Sequence, residues 1–268
     1  MQNHWWNATL YVTARGLTTS TIPYDGGLYE VEFDFVDHLL LVRTSNGELR
    51  SMQLKAQSVA DFYAEYMAML KSAGVEPKIR AIPSELPDTL PFADDRVHAA
   101  YDAGAANRCW QILSYTDRLF KEFRTGFLGK CSPVHFWWGA FDLACTRFSG
   151  RRAPIHPGGI PNLPDRITRE AYSHECYSSG WWPGMVGGPV AEPAFYAYAY
   201  AEPEGFSKAK VAPSSAYYHP VMHEWFLPYD AVRSSTDPDD ILLSFLDSTY
   251  AAAADLGRWD RQALERAH

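Results

Sequence analysis

The segment WWNATLYVTAR at residues 5–15 recurs as WWGAFDLACTR at residues 137–147, without a gap and at a constant offset. Both tryptophans, one alanine and the closing arginine are identical in the two copies, and both segments are predicted to be extended. A histidine lies just before each pair of tryptophans, His4 in one copy and His135 in the other. Such self-similarity indicates a repeated architecture. We therefore predict two related halves, although the pair at 181–182 has no partner segment.

Short antiparallel strands are predicted across residues 9–54. The string YEVEFDF at residues 29–35 alternates apolar and acidic side chains, which is typical of a strand with one buried and one wet face. Glycine-containing turns separate the apolar runs, as tight hairpins require. The other segments predicted to be extended are 78–82, 134–148, 170–177 and 195–200.

Helical spacing of apolar residues predicts three longer helices, at 58–73, 105–127 and 238–256. Ser58 is expected to cap the first of them, because Asp61 follows three residues later. The sequence therefore predicts an α+β fold: two related halves, each a mostly antiparallel sheet with flanking helices.

The predicted division of the chain has three parts. Residues 1–82 form the first half, residues 83–104 a connector with prolines at 83, 87 and 91, and residues 105–268 the second half. The two halves are expected to pack as one compact body. Because the second half has a helix ahead of its paired tryptophans and the first has none, the N-terminal helix of the first half is predicted to be missing.

Composition excludes several classes of function. A formal net charge of -8 and a pI near 5.6 argue against nucleic acid as a partner. No run approaches the roughly 20 apolar residues of a membrane-spanning helix, and the N-terminus lacks the layout of a signal peptide, so we expect a cytoplasmic protein without a membrane partner. Its four cysteines contain no CxxC pair and are expected to be reduced. Of the classes of partner considered, a small molecule is the one that composition leaves possible.

Several strings resemble a bacterial family catalogued only as a domain of unknown function. They include HWW at 4–6, LYVTARGLTT at 10–19, GKCSPVHF at 129–136 and FSGRRAP at 148–154, and the resemblance continues through YSHE at 172–175. It therefore covers nearly the whole chain. Members of that family usually carry a helical segment ahead of HWW, which fits the missing helix. The resemblance implies no known activity and no catalytic residues.

The first candidate site combines His135 and His174 with an acid, Glu175 or Asp142. Imidazole and carboxylate groups suit acid/base catalysis or metal binding. Strand neighbours point to opposite faces, however, so His174 and Glu175 are not expected to reach one site without a bulge, and His135 and Asp142 also differ in parity. No metal-binding signature is present, and neither a metal nor a cofactor is assigned. The structural alternative is a pair of hydrogen-bonded histidines in an aromatic core.

The second candidate is the basic loop that contains Arg147, Arg151, Arg152 and His156. Arginine forks bind carboxylates and phosphates, so the loop is predicted to hold an anionic substrate, with the nearby Trp138 as a further binding residue. The alternative is that these arginines form structural ion pairs.

Two classes of function follow from these candidates. The first is a small-molecule enzyme with a His/Arg-lined site between the halves that acts on an anionic substrate. The second is a non-catalytic protein that binds its ligand in an aromatic pocket, since aromatic residues make up 15% of the chain. A scaffold without a site is the third reading, and the sequence leaves the choice between enzyme and non-enzyme open.

Overall fold

The computed structural model describes residues 2–86 and 89–267, so Pro87 and Asp88 of the predicted connector lie outside the described residues. The structure confirms the α+β prediction, because antiparallel strands form the sheets and helices flank them. Within the described residues, no helix is long and apolar enough to cross a membrane.

The chain groups into two compact units. The smaller unit contains residues 9–114 and 160–163, and the larger unit contains the residues up to 8, residues 115–159 and the residues from 164 onward. The predicted boundaries at residues 82 and 105 stay predictions, and so does the internal duplication.

The smaller unit is a meander with one capped helix. Its elements are β1 (Thr9–Val12), β2 (Gly16–Thr18), β3 (Ile22–Tyr24), β4 (Gly27–Asp34), β5 (Leu39–Thr44), β6 (Leu49–Gln53) and α1 (Val59–Ser72). The antiparallel order is β1-β2-β4-β5-β6, with β3 paired to β4. The Ser58 side chain accepts a hydrogen bond from the Asp61 backbone N–H at 3.1 Å, so the predicted cap is confirmed. Val31 and Val42 of the sheet and Leu70 of α1 share its core.

The larger unit contains the second sheet. Its elements are α2 (Ala103–Thr125, from residue 115 on), β7 (His135–Trp137), β8 (Asp142–Arg152), α3 (Asp165–Ala171), β9 (His174–Trp182), β10 (Ala194–Tyr200), β11 (Tyr217–His219), β12 (Glu224–Pro228), α4 (Tyr229–Arg233), α5 (Pro238–Leu256) and α6 (Arg261–Leu264), with 3-10 helices at Asn3–Ala8 and Phe206–Lys208. The strands are antiparallel, in the order β7-β8-β9-β10-β12-β11. Helix α5 has the bounds that the sequence predicts.

The two faces of the second sheet differ in chemistry. One face, which we call the helix face, lies against α5: Tyr177 donates a hydrogen bond to the Leu246 carbonyl at 3.1 Å. The strand register puts Cys145 and Arg147 on this side with Tyr177. The other face, which we call the ring face, carries His135, Phe148, Tyr196 and Tyr198 together with other aromatic residues.

Four predicted extended segments are wrong wholly or in part, and one of them, 134–148, is interrupted by a turn at 138–141. Residues 5–8 belong to a 3-10 helix in which His4 and Trp5 have positive φ angles of 55° and 62°, and periodicity does not reveal such a conformation. Residues 78–82 form no strand. The segment 170–177 begins as the end of α3 and becomes a strand only at His174.

Candidate active site

The amine of Lys130 is the centre of the candidate site. Lys130 lies on a segment that pairs with β8, because the Phe148 backbone N–H donates to the Lys130 carbonyl at 3.0 Å. Its amine lies 5.3 Å from the centre of the Phe148 ring and 5.4 Å from that of Trp6. The residue as a whole remains exposed, so solvent and solutes reach it. Two aromatic faces therefore hold an accessible cation.

His4 fixes the other side of the amine. Its Nδ1 lies 2.9 Å from the Ala171 carbonyl at the end of α3, and its Nε2 lies 2.8 Å from Lys130 Nζ. A carbonyl oxygen only accepts, so Nδ1 carries the hydrogen and Nε2 offers a lone pair. The Lys130 ammonium consequently donates to a neutral imidazole.

Burial changes the proton affinity of both groups. Burial, with smaller contributions from the charges of Lys130 and His174, lowers the pKa of His4 against the opposing bond to Ala171. Partial burial of the amine also lowers the pKa of Lys130. Both shifts favour the neutral form of the group concerned.

His174 completes this site. Its ring centre lies 5.8 Å from that of His4, in an edge-on arrangement, and its Nδ1 lies 3.0 Å from the Ser173 hydroxyl. We call the group of Lys130, His4, Trp6, Phe148 and His174 the Lys130 site. Of the predicted catalytic residues, His174 is the one that lines it directly.

The backbone at His4 is strained. His4 and Trp5 both lie in the left-handed region, with φ angles of 55° and 62°. A residue with a side chain costs about 1–2 kcal/mol in that region, and such outliers concentrate at functional sites. The surrounding contacts of His4 offset this cost, and the strained conformation brings its imidazole to Lys130.

His135 has a different environment from the one predicted for a catalyst. It is completely buried on β7, with its ring centre 6.3 Å from Trp6 and 5.1 Å from Trp137. Burial, with a smaller contribution from the charge of Arg124, lowers its pKa to about 3. His135 is therefore neutral at physiological pH and packs against Trp6. Its predicted catalytic role stays a prediction.

Glu175 and Arg151 are brought together, but away from His174. Arg151 Nε donates to Glu175 Oε2 at 2.8 Å, and the Ser149 hydroxyl donates to the same oxygen at 2.9 Å. Glu175 also lines a cavity of about 190 Å³ with Tyr200 and other residues near the end of α5. Sites for drug-sized ligands usually measure about 300–1,000 Å³. The opposite orientation of His174 and Glu175 agrees with the strand alternation used above.

Arg147 is a buried residue of the helix face. Its guanidinium carbon lies 3.4 Å from the centre of the Phe123 ring and 4.3 Å from that of Tyr250, and its terminal nitrogen donates to the Phe123 carbonyl. The strand register puts Arg147 and His135 on opposite faces of the sheet, so the structure does not bring these two predicted site residues together.

The remaining predicted residues lie in different environments. Arg152 is exposed opposite His174 in the β8–β9 ladder, and Trp138 is exposed in the turn between β7 and β8. His156 stacks on Tyr172 with the ring centres 4.9 Å apart. The predicted binding roles of Arg147, Arg151, Arg152 and Trp138 stay predictions.

A second cluster lies on the ring face and includes Asp142, one of the two acids that the sequence offers for the first candidate site. Tyr196 donates a hydrogen bond to Asp142, and Glu224 lies on the neighbouring strand β12. Burial and then the charge of Asp142 raise the pKa of Glu224 to about 8. Asp142 lies on the same face of the sheet as His135, because His135 pairs with Ala144 in the β7–β8 ladder and residues 142 and 144 point to the same side. Counting residues along the sequence predicts opposite faces, since the count ignores the turn between the two strands.

Across residues 2–86 and 89–267, no group of three or more His, Cys, Asp or Glu side chains is arranged to hold a metal ion.

The fold and the ring-enclosed lysine–histidine pair define an α+β protein with a candidate site for acid–base chemistry. The chain belongs to the family of unknown function DUF5996, whose family model matches residues 1–266. Neither the comparison with curated proteins nor the comparison with solved structures finds a match.

Proposed function

We propose that this protein is an enzyme that acts on a small anionic molecule, with the Lys130 site as its active site. The observation that carries the proposal is the 2.8 Å contact between the accessible Lys130 amine and the lone pair of His4. Among the described residues, Lys130 forms no ion pair with a carboxylate. Its charge is therefore available for a ligand.

The site residues have distinct roles in this proposal. The Lys130 ammonium uses one N–H toward His4 and keeps two for an anionic group of the substrate. His4 accepts the lysine proton at Nε2, which leaves the amine free to take a proton from the substrate. His174 at the edge of the site keeps its predicted acid/base role, while Trp6 and Phe148 limit the access of water.

Ligand-induced stabilisation tests the binding part of the proposal. Suitable probes are inorganic phosphate, succinate and pyruvate, measured by thermal unfolding. A probe at 100 times its Kd stabilises the folded protein by about 2.7 kcal/mol. We expect Lys130→Met to abolish this shift. Lys210→Met removes an exposed lysine away from the site and is expected to keep it.

Deuterium exchange tests the catalytic part. In heavy water, proton transfer next to a carbonyl group exchanges the methyl hydrogens of pyruvate, which NMR detects directly. We expect exchange with the wild-type protein and a strong loss in His4→Gln, whose amide accepts a hydrogen bond but is not a base. Binding of pyruvate without exchange of its methyl hydrogens would favour the non-catalytic class, and an unchanged thermal shift in Lys130→Met would contradict the site itself.

A further inference from the structure

Two cysteines of the larger unit are in direct contact. The sulfur atoms of Cys131 and Cys145 lie 3.6 Å apart. Cys145 is fully buried on β8, whereas Cys131 lies on the paired segment and is partly exposed. A partly exposed cysteine is therefore in contact with a fully buried one.

The surroundings of the pair supply positive charge. The backbone of Cys131 pairs with that of Arg147 in an isolated antiparallel β-bridge, and Arg147 is buried. Within the part of the chain that the structure describes, Arg147 has no carboxylate partner at ion-pair distance. A buried cation needs compensation, and a thiolate at Cys131 supplies the opposite charge.

The acidity of Cys131 agrees with this arrangement. The contact with the Cys145 thiol, followed by the charges of Arg124 and Arg147, lowers the pKa of Cys131 to about 7. Burial raises the pKa of Cys145, so this partner keeps its proton. The lowered pKa increases the fraction of Cys131 that is thiolate, which is the nucleophilic form of cysteine.

We propose that Cys131 and Cys145 form a reactive dithiol, in which a hydroperoxide oxidises Cys131 and Cys145 then closes an intramolecular disulfide. This inference goes beyond the proposed enzyme function and does not depend on it.

Both steps balance. The Cys131 thiolate attacks one peroxide oxygen, so a sulfur–oxygen bond forms, the oxygen–oxygen bond breaks, and the leaving alkoxide takes a proton to become an alcohol. Cys145 then attacks the Cys131 sulfur; a sulfur–sulfur bond forms, the sulfur–oxygen bond breaks, and hydroxide leaves as water with the Cys145 proton. Two thiols are oxidised to one disulfide, and one hydroperoxide is reduced.

Closure requires only a short movement. A disulfide has a sulfur–sulfur distance of about 2.05 Å, so the two atoms approach each other by about 1.6 Å from their present separation. The other two cysteines provide internal controls, because burial raises the pKa of Cys109 and raises that of Cys176 to about 12.

The test treats the intact protein with hydrogen peroxide, alkylates the remaining thiols and maps the peptides by mass spectrometry. We expect one disulfide between Cys131 and Cys145, reversed by dithiothreitol, while Cys109 and Cys176 remain alkylated. The rate is expected to rise with pH through about 7, as Cys131 ionises. In Cys145→Ser, the reaction is expected to stop at a Cys131 sulfenic acid that dimedone traps. Cys109→Ser is the matched control and is expected to behave like the wild type.

Three results would overturn the proposal. These are free Cys131 and Cys145 after peroxide treatment, a disulfide that involves Cys109 or Cys176 instead, or equal overoxidation of Cys131 in the wild type and in Cys145→Ser. Circular dichroism of each variant before treatment keeps misfolding separate from thiol chemistry, and the wild-type peptide map alone decides the first two results.

Discussion

Replacing His135 with glutamine is expected to remove a defined part of the acid sensitivity of this protein. His135 is completely buried and its pKa falls from 6.5 to about 3. The unfolded chain takes up a proton at this residue below about pH 6.5, and the folded chain does so only near pH 3. The neutral form therefore contributes stability that is present above pH 6.5 and lost as the pH falls toward 3.

The size of the loss follows from the two pKa values. Proton uptake by the unfolded state lowers the free energy of unfolding by about 2 kcal/mol at pH 5 and about 3 kcal/mol at pH 4, with a limit near 5 kcal/mol below pH 3. Glutamine does not titrate. We expect His135→Gln to start less stable at pH 7.5, by about 1–3 kcal/mol for repacking, and to lose about 2 kcal/mol less than the wild type on going to pH 5.

Urea unfolding at pH 7.5 and pH 5.0, for wild type and variant, measures this double difference. His4 and His156 also have lowered pKa values, so they contribute to the acid loss in both proteins and cancel. His223→Gln is the matched control, because its side chain is 71% exposed. An equal loss of stability in His135→Gln and wild type between the two pH values would refute the assignment of His135 as a neutral core residue.

Three further outcomes are expected. Glu224 keeps a proton up to about pH 8 that the unfolded chain releases near 4.5, so stability falls as the pH rises through this window, and Glu224→Gln is expected to be roughly 2 kcal/mol more stable than wild type in urea unfolding at pH 8. That figure is about half of what the full shift implies, because Glu224 is only partly buried. Gly180→Ala is expected to cost about 1–3 kcal/mol in the same assay, because the added carbon would lie 2.5 Å from Cε1 of the Tyr196 ring. Unchanged stability would contradict this packing. Ser58→Ala removes the cap of α1 and is expected to cost about 1 kcal/mol, with a loss below 0.3 kcal/mol counting against the capping bond.

Local patterns predicted the fold where the backbone follows ordinary preferences. The acidic and apolar alternation of residues 29–35 became the central strand β4, and α5 begins and ends at the predicted residues. The errors fall where the sequence gives no such signal. The left-handed angles of His4 and Trp5 convert a predicted strand into a 3-10 helix, and the seven-residue α3 is too short for helical spacing to identify.

The candidate site was harder to predict, because distant residues form it. His4 and Lys130 are 126 positions apart in the sequence, and the sequence patterns predict neither of them as a site residue. His4 lies in HWW and Lys130 in GKCSPVHF, two of the strings that carry the family resemblance. Their presence in these strings is the signal in the sequence that points to both residues. The arginine loop shows the reverse case, in which residues that are close in sequence do not form one site. Neighbouring residues of β8 alternate between the two faces of the sheet, so Arg147 and Arg152 do not converge.

The central claim is that a neutral His4 imidazole accepts a hydrogen bond from a Lys130 amine of lowered pKa. NMR titration of the protein with labelled lysine and histidine side chains measures both groups in one sample. We expect a Lys130 midpoint clearly below 10.5, together with a His4 ring protonated at Nδ1 alone at neutral pH. A Lys130 midpoint at or above 10.5, or a His4 ring that carries its proton at Nε2, would contradict the account.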